Sequence, residues 1–353
     1  MDLTVPQQHP VLNEHLAADQ FTALRQLLSS PKDIVITTHR NPDGDAIGSS
    51  LGMKYFLEKS FHTVHVMAPS EFPDFLDELP GADDVLIYDN DPEACERYLR
   101  RADVFFCLDF NGLDRIDKMG EIIAERSEQP SVLIDHHLFP DPFADVTFSD
   151  TTASSTCELV YDVIVGLGRR ADIDVSTGEA LFTGILTDTG SFKYSTSPKL
   201  FRIVADLVSL GVDDYKLQDR IFNSLEEKNL RLLGHCLADR MEILPELRTG
   251  IIWLNRHDYE FFDIKRGDTE GIVNYLLKMK HIKVAAFIHE QPTITKISLR
   301  SKGDFDVQQI AKKHFRGGGH KNASGGASFI GLGPTINKFK EVMATYRDEV
   351  WEV

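Results

Sequence analysis

The sequence has few cysteines, and their spacing indicates neither a disulfide framework nor a zinc finger. Four of the 353 residues are cysteine, at positions 95, 107, 157 and 236, and none of them forms a CxxC pair. Small disulfide-stabilised secreted proteins and zinc-finger proteins both need closely spaced cysteines. Both classes are therefore excluded.

Long apolar runs and a secretion signal are also missing. No apolar run approaches the ~20 residues of a membrane-spanning helix. The N-terminal stretch MDLTVPQQHPVLNEHL has neither the basic segment nor the apolar core of a signal peptide. We therefore expect a soluble, cytoplasmic protein that does not bind membranes.

Positive charge is scarce. The chain has 38 Lys and Arg against 55 Asp and Glu, which gives a net charge of −17. Such a molecule as a whole repels nucleic acids and anionic membranes. A polyanionic substrate must therefore be held by a local basic patch or by bound cations.

The pattern of the first 200 residues predicts an α/β fold with a doubly wound, mostly parallel sheet. Short apolar runs alternate there with amphipathic stretches, which is typical of βαβ units. The predicted strands are Ile34–Thr38, Thr63–Ala68, Val85–Tyr88, Val104–Leu108, Val132–Ile134 and Val146–Phe148. The predicted helices include Ala46–Glu58, Ile116–Glu125, Ser155–Val165, Gly178–Leu186 and Leu200–Leu210.

The length of the chain favours two domains. We expect an N-terminal α/β domain over 17–211, a helical linker over 212–244 and a smaller C-terminal α/β domain over 245–353. In the C-terminal domain, strands are predicted at Gly250–Leu254, Val284–His289 and Thr293–Leu299. Helices are predicted near Gly271–Lys280, over Val307–His314 and from about Pro334.

Acidic residues and histidines follow several of the predicted N-terminal elements. Singly, each has an ordinary explanation, since an Asp after a strand is often a helix cap or turn former. Together they indicate a site, because ligands of open α/β sheets bind at the carboxyl ends of the strands. The residues are His39, Asp43, Asp45, Asp109, Asp135, His136, His137 and Asp188.

This set of side chains is suited to a pair of divalent cations. Asp and His without Cys favour hard to borderline metals. The charges of Asp43, Asp45, Asp109 and Asp188 balance two such ions. Paired ions about 3.5–4 Å apart serve phosphoryl transfer, and they lower the pKa of a bound water, so no Ser or Cys nucleophile is needed. Mixed imidazole and carboxylate ligands favour two Mn²⁺ ions, with Mg²⁺ or Co²⁺ as substitutes.

The motifs resemble those of the DHH phosphoesterase superfamily over roughly residues 30–200. The resemblance rests on the Asp-His-His triplet, the His-x-x-x-Asp-x-Asp strand end, Asp109 and Asp188. It implies catalytic roles for His137, at the scissile phosphate, and Asp135, which orients its neighbours. It also implies two sets of metal ligands: His39, Asp43 and Asp109 for one ion, and Asp45, Asp109, His136 and Asp188 for the other.

A glycine-rich segment, GGGHKNASGG at 317–326, resembles the substrate-binding signature of the DHH-associated C-terminal domain. Glycines let backbone N–H groups approach an anion, so the run predicts a phosphate-binding nest. Residues 293–322 carry seven Lys and Arg against two Asp. A flexible glycine turn beside a solvated basic helix is the alternative. The predicted substrate-binding residues are Arg300, Ser301, Gly318, Gly319, His320 and Asn322.

Within this superfamily the chain resembles the compact nano-RNase A type, which are oligoribonucleases and phosphatases of 3′-phosphoadenosine 5′-phosphate (pAp). The resemblance implies short single-stranded RNA, dinucleotides such as pApA and pGpG, and pAp as substrates, with a homodimer as the assembly. Two alternatives stay open: a phosphoanhydride hydrolase of the exopolyphosphatase or pyrophosphatase type, and a non-catalytic nucleotide sensor. Phe315 is a candidate for base stacking, although a buried aromatic is the favoured reading.

Overall fold

The computed structural model describes residue 13 and residues 15–126, 128–223, 225–265 and 267–352. Most of the stretch inspected for a signal peptide therefore lies outside the described residues. The chain divides into two compact units, one ending at residue 224 and the other beginning at Leu225. Among the described residues, no helix is both long enough and apolar enough to cross a bilayer.

The first unit is built on a parallel sheet whose strand order is β3-β2-β1-β4-β5-β6. Every neighbouring pair in this sheet is parallel. The predicted doubly wound sheet is thereby confirmed, and the strand order reverses between β1 and β4. The strands are β1 (Asp33–Thr37), β2 (Thr63–Ala68), β3 (Leu86–Ile87), β4 (Val104–Leu108), β5 (Ser131–Asp135) and β6 (Val146–Ser149).

Helices connect these strands and complete the unit. Most begin at an Asp or Ser whose side chain accepts a hydrogen bond from the first turn, as Asp43, Ser155 and Asp174 do. The helices are α1 (Ala18–Leu27), α2 (Gly44–Glu58), α3 (Pro92–Arg101), α4 (Asp117–Glu125), α5 (Thr156–Gly166), α6 (Val175–Thr189), α7 (Pro198–Ser209) and α8 (Asp214–Phe222).

Helices α2 and α6 run antiparallel and pack unusually closely, because glycines line their contact. A Cβ on Gly48 would lie 2.4 Å from the carbonyl oxygen of Ala180. A Cβ on Gly44 would lie 2.4 Å from the side chain of Thr187, in the last turn of α6. The close approach therefore brings the beginning of α2, with Asp45, beside the end of α6, with Asp188.

We expect Gly48→Ala to lower the free energy of unfolding by roughly 1–3 kcal/mol, since the added methyl group meets backbone that cannot move aside. Urea denaturation measures the change. Gly234→Ala is the matched control, because α9 (Glu227–Asp239) has no described atom within 4 Å of a Cβ added there. Alanine at that position should be neutral or stabilising. Equal effects of the two substitutions would contradict the tight-packing argument.

The second unit is a smaller α/β structure, as predicted. Its sheet has the order β11-β12-β10-β9-β8-β7, in which β8 and β9 are parallel and the other neighbours antiparallel. The strands are β7 (Met241–Leu244), β8 (Thr249–Leu254), β9 (Val284–Glu290), β10 (Thr295–Ser301), β11 (Gly318–His320) and β12 (Ala323–Ser328). Besides α9, the helices are α10 (Arg256–Phe261), α11 (Ile272–Leu276), α12 (Val307–His314), α13 (Leu332–Thr345) and α14 (Arg347–Glu352).

Two expectations about this unit are wrong in detail. The stretch expected to be wholly helical, up to residue 244, ends in strand β7, which pairs with β8. The glycine-rich segment forms strands β11 and β12, which contradicts the alternative reading of a flexible glycine turn. The reason is close packing: a Cβ on Gly326 would lie 2.8 Å from Phe315, and one on Gly317 would lie 1.8 Å from the carbonyl oxygen of Gly325. These glycines let strands pass where side chains do not fit.

Candidate functional site

The eight acidic and histidine residues predicted in the first unit lie together at the carboxyl edge of its sheet. His39 follows β1, Asp109 follows β4, and Asp135 is the last residue of β5. The edge between β1 and β4 is where the strand order reverses, which is the usual ligand-binding position of such sheets. Asp109 has φ +65, a left-handed conformation that Asp adopts more readily than most residues.

One group of potential metal ligands consists of His39, Asp43 and Asp109, whose ligand atoms all lie within 4.8 Å of one another. The Nε2 of His39 is 3.4 Å from Oδ2 of Asp109. The Nδ1 of His39 is 3.0 Å from the carbonyl oxygen of Arg40, which can only accept a hydrogen bond. The hydrogen therefore sits on Nδ1, and Nε2 presents its lone pair to the carboxylates.

A second group consists of Asp45, Asp109 and His136, also within 4.8 Å of one another. The Nε2 of His136 is 3.6 Å from Oδ1 of Asp109 and 3.8 Å from Oδ2 of Asp45. Asp188 lies beside this group, since its Oδ2 is 3.3 Å from that nitrogen. The other ring nitrogen of His136 faces the carbonyl oxygen of Ala153 at 3.4 Å. Both histidines therefore turn a lone pair towards aspartate oxygens.

His137 and Asp135 form a pair beside these groups. The Nδ1 of His137 donates to Oδ1 of Asp135 over 2.8 Å and lies 3.7 Å from Oδ1 of Asp109. Asp135 is fully buried, and its Oδ2 has no hydrogen-bond partner in the described part of the chain. The carboxylate thus fixes the orientation of the imidazole ring, with a hydrogen on Nδ1.

The electrostatics of the cluster favour a bound cation. Burial raises the pKa of Asp109 and of Asp188 well above the usual range, and the nearby charges of Asp45 and Asp43 raise both further. Burial lowers the pKa of His39, so this imidazole stays neutral. Imidazoles and crowded carboxylates without thiolates fit a hard to borderline divalent metal ion. The residues present therefore suit the expected metals.

Thr156 and Cys157, at the start of α5, hold two of these carboxylates in place, and sequence analysis missed them. The backbone N–H groups of Thr156 and Cys157 donate to Oδ2 and Oδ1 of Asp45, over 2.6 and 2.9 Å. The hydroxyl of Thr156 donates to Oδ1 of Asp109 over 2.9 Å. The Ser155-x-x-Glu158 pattern indicates that a helix begins here, but not that its N-terminus faces Asp45.

In the second unit, the register of the sheet places Arg300 and His320 on one face. Both are opposite Ala323, Arg300 on β10 and His320 on β11. Directly opposite residues of antiparallel strands share a face, so a small side chain separates the two basic ones. The next row on that face contains Ser298, Gly325 and Gly318. The face therefore combines basic groups with little side-chain bulk.

The other predicted substrate-binding residues have structural contacts of their own. Asn322 donates from Nδ2 to Oγ of Ser301 over 2.8 Å and to the carbonyl oxygen of Gly303 over 3.0 Å, while Ser301 donates to that of Phe305 over 2.6 Å. Their side chains thus hold the turn after β10. Gly319 has φ +134, and a Cβ there would lie 2.6 Å from the carbonyl oxygen of Ala323. Phe315 is buried in the core, as the favoured reading had it.

Comparison with known proteins identifies the class. The model of the DHH family N-terminal domain matches residues 33–185, and that of the DHHA1 domain matches residues 258–350. The chain belongs to the DHH family and is a hydrolase of the phosphodiesterase or phosphatase class.

Two relatives and a solved structure are similar over most of the chain. The bifunctional oligoribonuclease and PAP phosphatase NrnA of Thermus thermophilus is 28% identical over 90% of each chain. A probable NrnA of Streptococcus mutans is 29% identical over 87% of this chain and 94% of its own. The crystal structure of an exopolyphosphatase-related protein from Bacteroides fragilis is 38% identical, with a TM-score of 0.92, over 96% of this chain and 99% of that one.

Mn²⁺ should stabilise the chelator-treated protein, raising its Tm by roughly 5–10 °C at a hundredfold excess over the Kd. The raised pKa values of Asp109 and Asp188 determine how the stability of the metal-free protein depends on pH. A raised folded-state pKa favours folding at low pH, and that contribution is lost as the pH rises and the carboxyls ionise. The gain from Mn²⁺ should therefore grow from about pH 5 to pH 8, since protons compete with the ion. A Tm unaffected by Mn²⁺ at either pH would argue against a metal centre.

Thr156→Val should weaken Mn²⁺ binding roughly tenfold, because it removes the hydrogen bond to Asp109 while keeping the shape of the side chain. Thr156→Ser retains a hydroxyl and is the matched control. Calorimetric titration of each chelator-treated variant with Mn²⁺ measures the affinity. If the valine and serine variants bound equally well, Thr156 would not position the carboxylate.

Proposed function

We propose that the chain is a two-metal phosphohydrolase that cleaves short oligoribonucleotides to 5′-mononucleotides and removes a phosphate from pAp. The observation that carries the proposal is the position of Asp109 between two groups of donors. Its Oδ2 faces His39 at 3.4 Å, and its Oδ1 faces His136 at 3.6 Å. A carboxylate with one oxygen in each group is suited to bridge two ions.

The proposal keeps the two sets of metal ligands that the resemblance to DHH phosphoesterases implies. One ion would be held by His39, Asp43 and Asp109. The other would be held by Asp45, Asp109, His136 and Asp188. Mn²⁺ fits the mixture of imidazole and carboxylate, and Mg²⁺ or Co²⁺ can replace it. Two bound cations would lower the pKa of a water and offset negative charge on the phosphate.

His137 and Asp135 complete the proposed catalytic group. Asp135 accepts the Nδ1 hydrogen of His137, which fixes the ring and leaves its other nitrogen, Nε2, to face a ligand. An imidazole held in this way can form a hydrogen bond with a phosphate oxygen. We assign it that role, with Asp135 as its positioning residue.

Substrate binding is assigned to the basic face of the second unit. Arg300 and His320 share that face, and the glycines beside them leave room for a sugar-phosphate backbone. Ser301, Asn322 and Gly319 support the adjoining turn and strand pairing. Gly318 has no described atom within 4 Å of a Cβ position, so its backbone is open to a ligand. The relatives named oligoribonuclease and PAP phosphatase support RNA oligomers and pAp as the substrates.

A phosphoanhydride hydrolase is the second candidate. The 38% identical structure from Bacteroides fragilis is described as exopolyphosphatase-related, which favours it. A panel of pApA, pGpG, pAp, pyrophosphate and polyphosphate with Mn²⁺ decides between the two. We expect mononucleotides from the dinucleotides and AMP from pAp. Turnover of polyphosphate or pyrophosphate with intact nucleotides would replace the proposal by the second candidate.

Substitutions in the two units should affect different kinetic constants. Asp109→Ala should abolish kcat, because both groups of ligands lose their shared member. Arg300→Ala should raise KM for pApA by roughly tenfold or more with a smaller effect on kcat, as expected when a charge-assisted hydrogen bond to substrate is lost.

Arg256→Ala is the matched control for the second unit, because the Arg256 side chain is exposed and its described ion pair is with Glu260, one turn away on the same helix. Steady-state kinetics with pApA as substrate give kcat and KM for all three variants. Normal turnover by the Asp109 variant would contradict the metal assignment. An unchanged KM in the Arg300 variant would contradict the assignment of the substrate face.

A further inference from the structure

The loop after the metal-ligand candidates presents an aromatic ring to solvent. Phe139 is 80% exposed and follows His137 by two residues. Two residues of chain span at most about 7 Å, so the backbone of Phe139 lies within that distance of the backbone of His137. Phe139 therefore belongs to a loop beside the metal-ligand candidates, and its ring is open to solvent there.

Hydrogen bonds on both sides of Phe139 hold this loop in place. The Nδ2 of Asn111 donates to the carbonyl oxygen of Leu138 over 2.8 Å, and the N–H of Asp141 donates to that of Asn111 over 2.7 Å. Asn111 follows Asp109 by two residues, so the anchor itself belongs to the carboxyl edge of the sheet. Phe139 has φ +60, which is rare for a bulky residue. The fold thus fixes a conformation that directs the ring outwards.

Exposure and a left-handed backbone do not by themselves indicate binding. Phe61 is 86% exposed with φ +62, but it lies just before β2, at the amino edge of the same sheet. Because the strands are parallel, that edge is a full strand length from the metal-ligand candidates. What distinguishes Phe139 is its position beside the proposed catalytic group.

We propose that Phe139 stacks on the base of the nucleoside next to the phosphate held at the metal centre. The inference rests on the proposed function and adds a base-recognition contact to it. Of the parts of a nucleotide, only the base has an apolar π-face, and aromatic side chains bind that face with little dependence on base identity. Phe315, the aromatic considered from the sequence, is buried and cannot take this role.

The first test compares substrates with and without a base. Phe139→Ala should raise KM for pApA by about 5- to 10-fold, the lower part of the range for loss of base stacking. Phe139→Trp should keep KM near the wild-type value. The expected KM for the abasic analogue of pAp, ribose 3,5-bisphosphate, is the same in all variants. Phe61→Ala is the control with matching exposure and backbone. A uniform rise for base-bearing and base-free substrates, or no rise at all, would overturn the assignment.

The second test needs no turnover. A non-hydrolysable dinucleotide analogue containing 2-aminopurine loses fluorescence when its base stacks on an aromatic ring, and it can be titrated into the Mg²⁺-loaded protein. We expect quenching with wild type, Phe139→Trp and Phe61→Ala, and markedly less with Phe139→Ala. Equal quenching in all four proteins would exclude Phe139 as the stacking residue. If the proposed function itself were wrong, the result would be different: the wild-type protein would hydrolyse no nucleotide with Mn²⁺, Mg²⁺ or Co²⁺.

Discussion

Mutual repulsion among aspartate carboxylates is the constraint around which the first unit is built. Asp45 and Asp109 are almost completely buried, and Oδ2 of Asp188 lies 3.3 Å from Nε2 of His136. Burial and neighbouring charge raise the pKa of Asp109 and Asp188, so ionised carboxylates here need compensation. The N-terminus of α5 supplies part of it to Asp45, and divalent cations are suited to supply the rest.

Tight helix packing keeps the repelling groups together. The glycines of α2 let α6 approach until Asp45 and Asp188 become neighbours, although the two are far apart in the chain. Thr156 then connects α5 to Asp109 through its hydroxyl and to Asp45 through its backbone. The apolar core therefore holds together charged groups that repel one another. Active sites with pre-organised charge commonly depend on such support from the surrounding fold.

The chain has a net charge of −17, and phosphate esters are anionic, so the proposed function needs positive groups concentrated at the substrate site. In the second unit, regular pairing of β10, β12 and β11 places Arg300 and His320 on one face and leaves glycine and alanine between and beside them. The glycine run was expected to act through a backbone nest. Its main observed effect is steric, since it lets strands and α12 pack at distances that other residues exclude.

The sequence by itself determined the parallel sheet, the second α/β unit and the residues that follow each strand of the first. Apolar periodicity and strand-end residues are local signals, and in a parallel sheet the carboxyl ends must meet at one edge. The tertiary structure alone decided which oxygen of Asp109 faces which histidine, that Thr156 and Cys157 bind Asp45 across more than 100 residues, and that Phe139 points outwards. Those features depend on helix packing and loop anchoring between distant segments, which no local pattern of residues encodes.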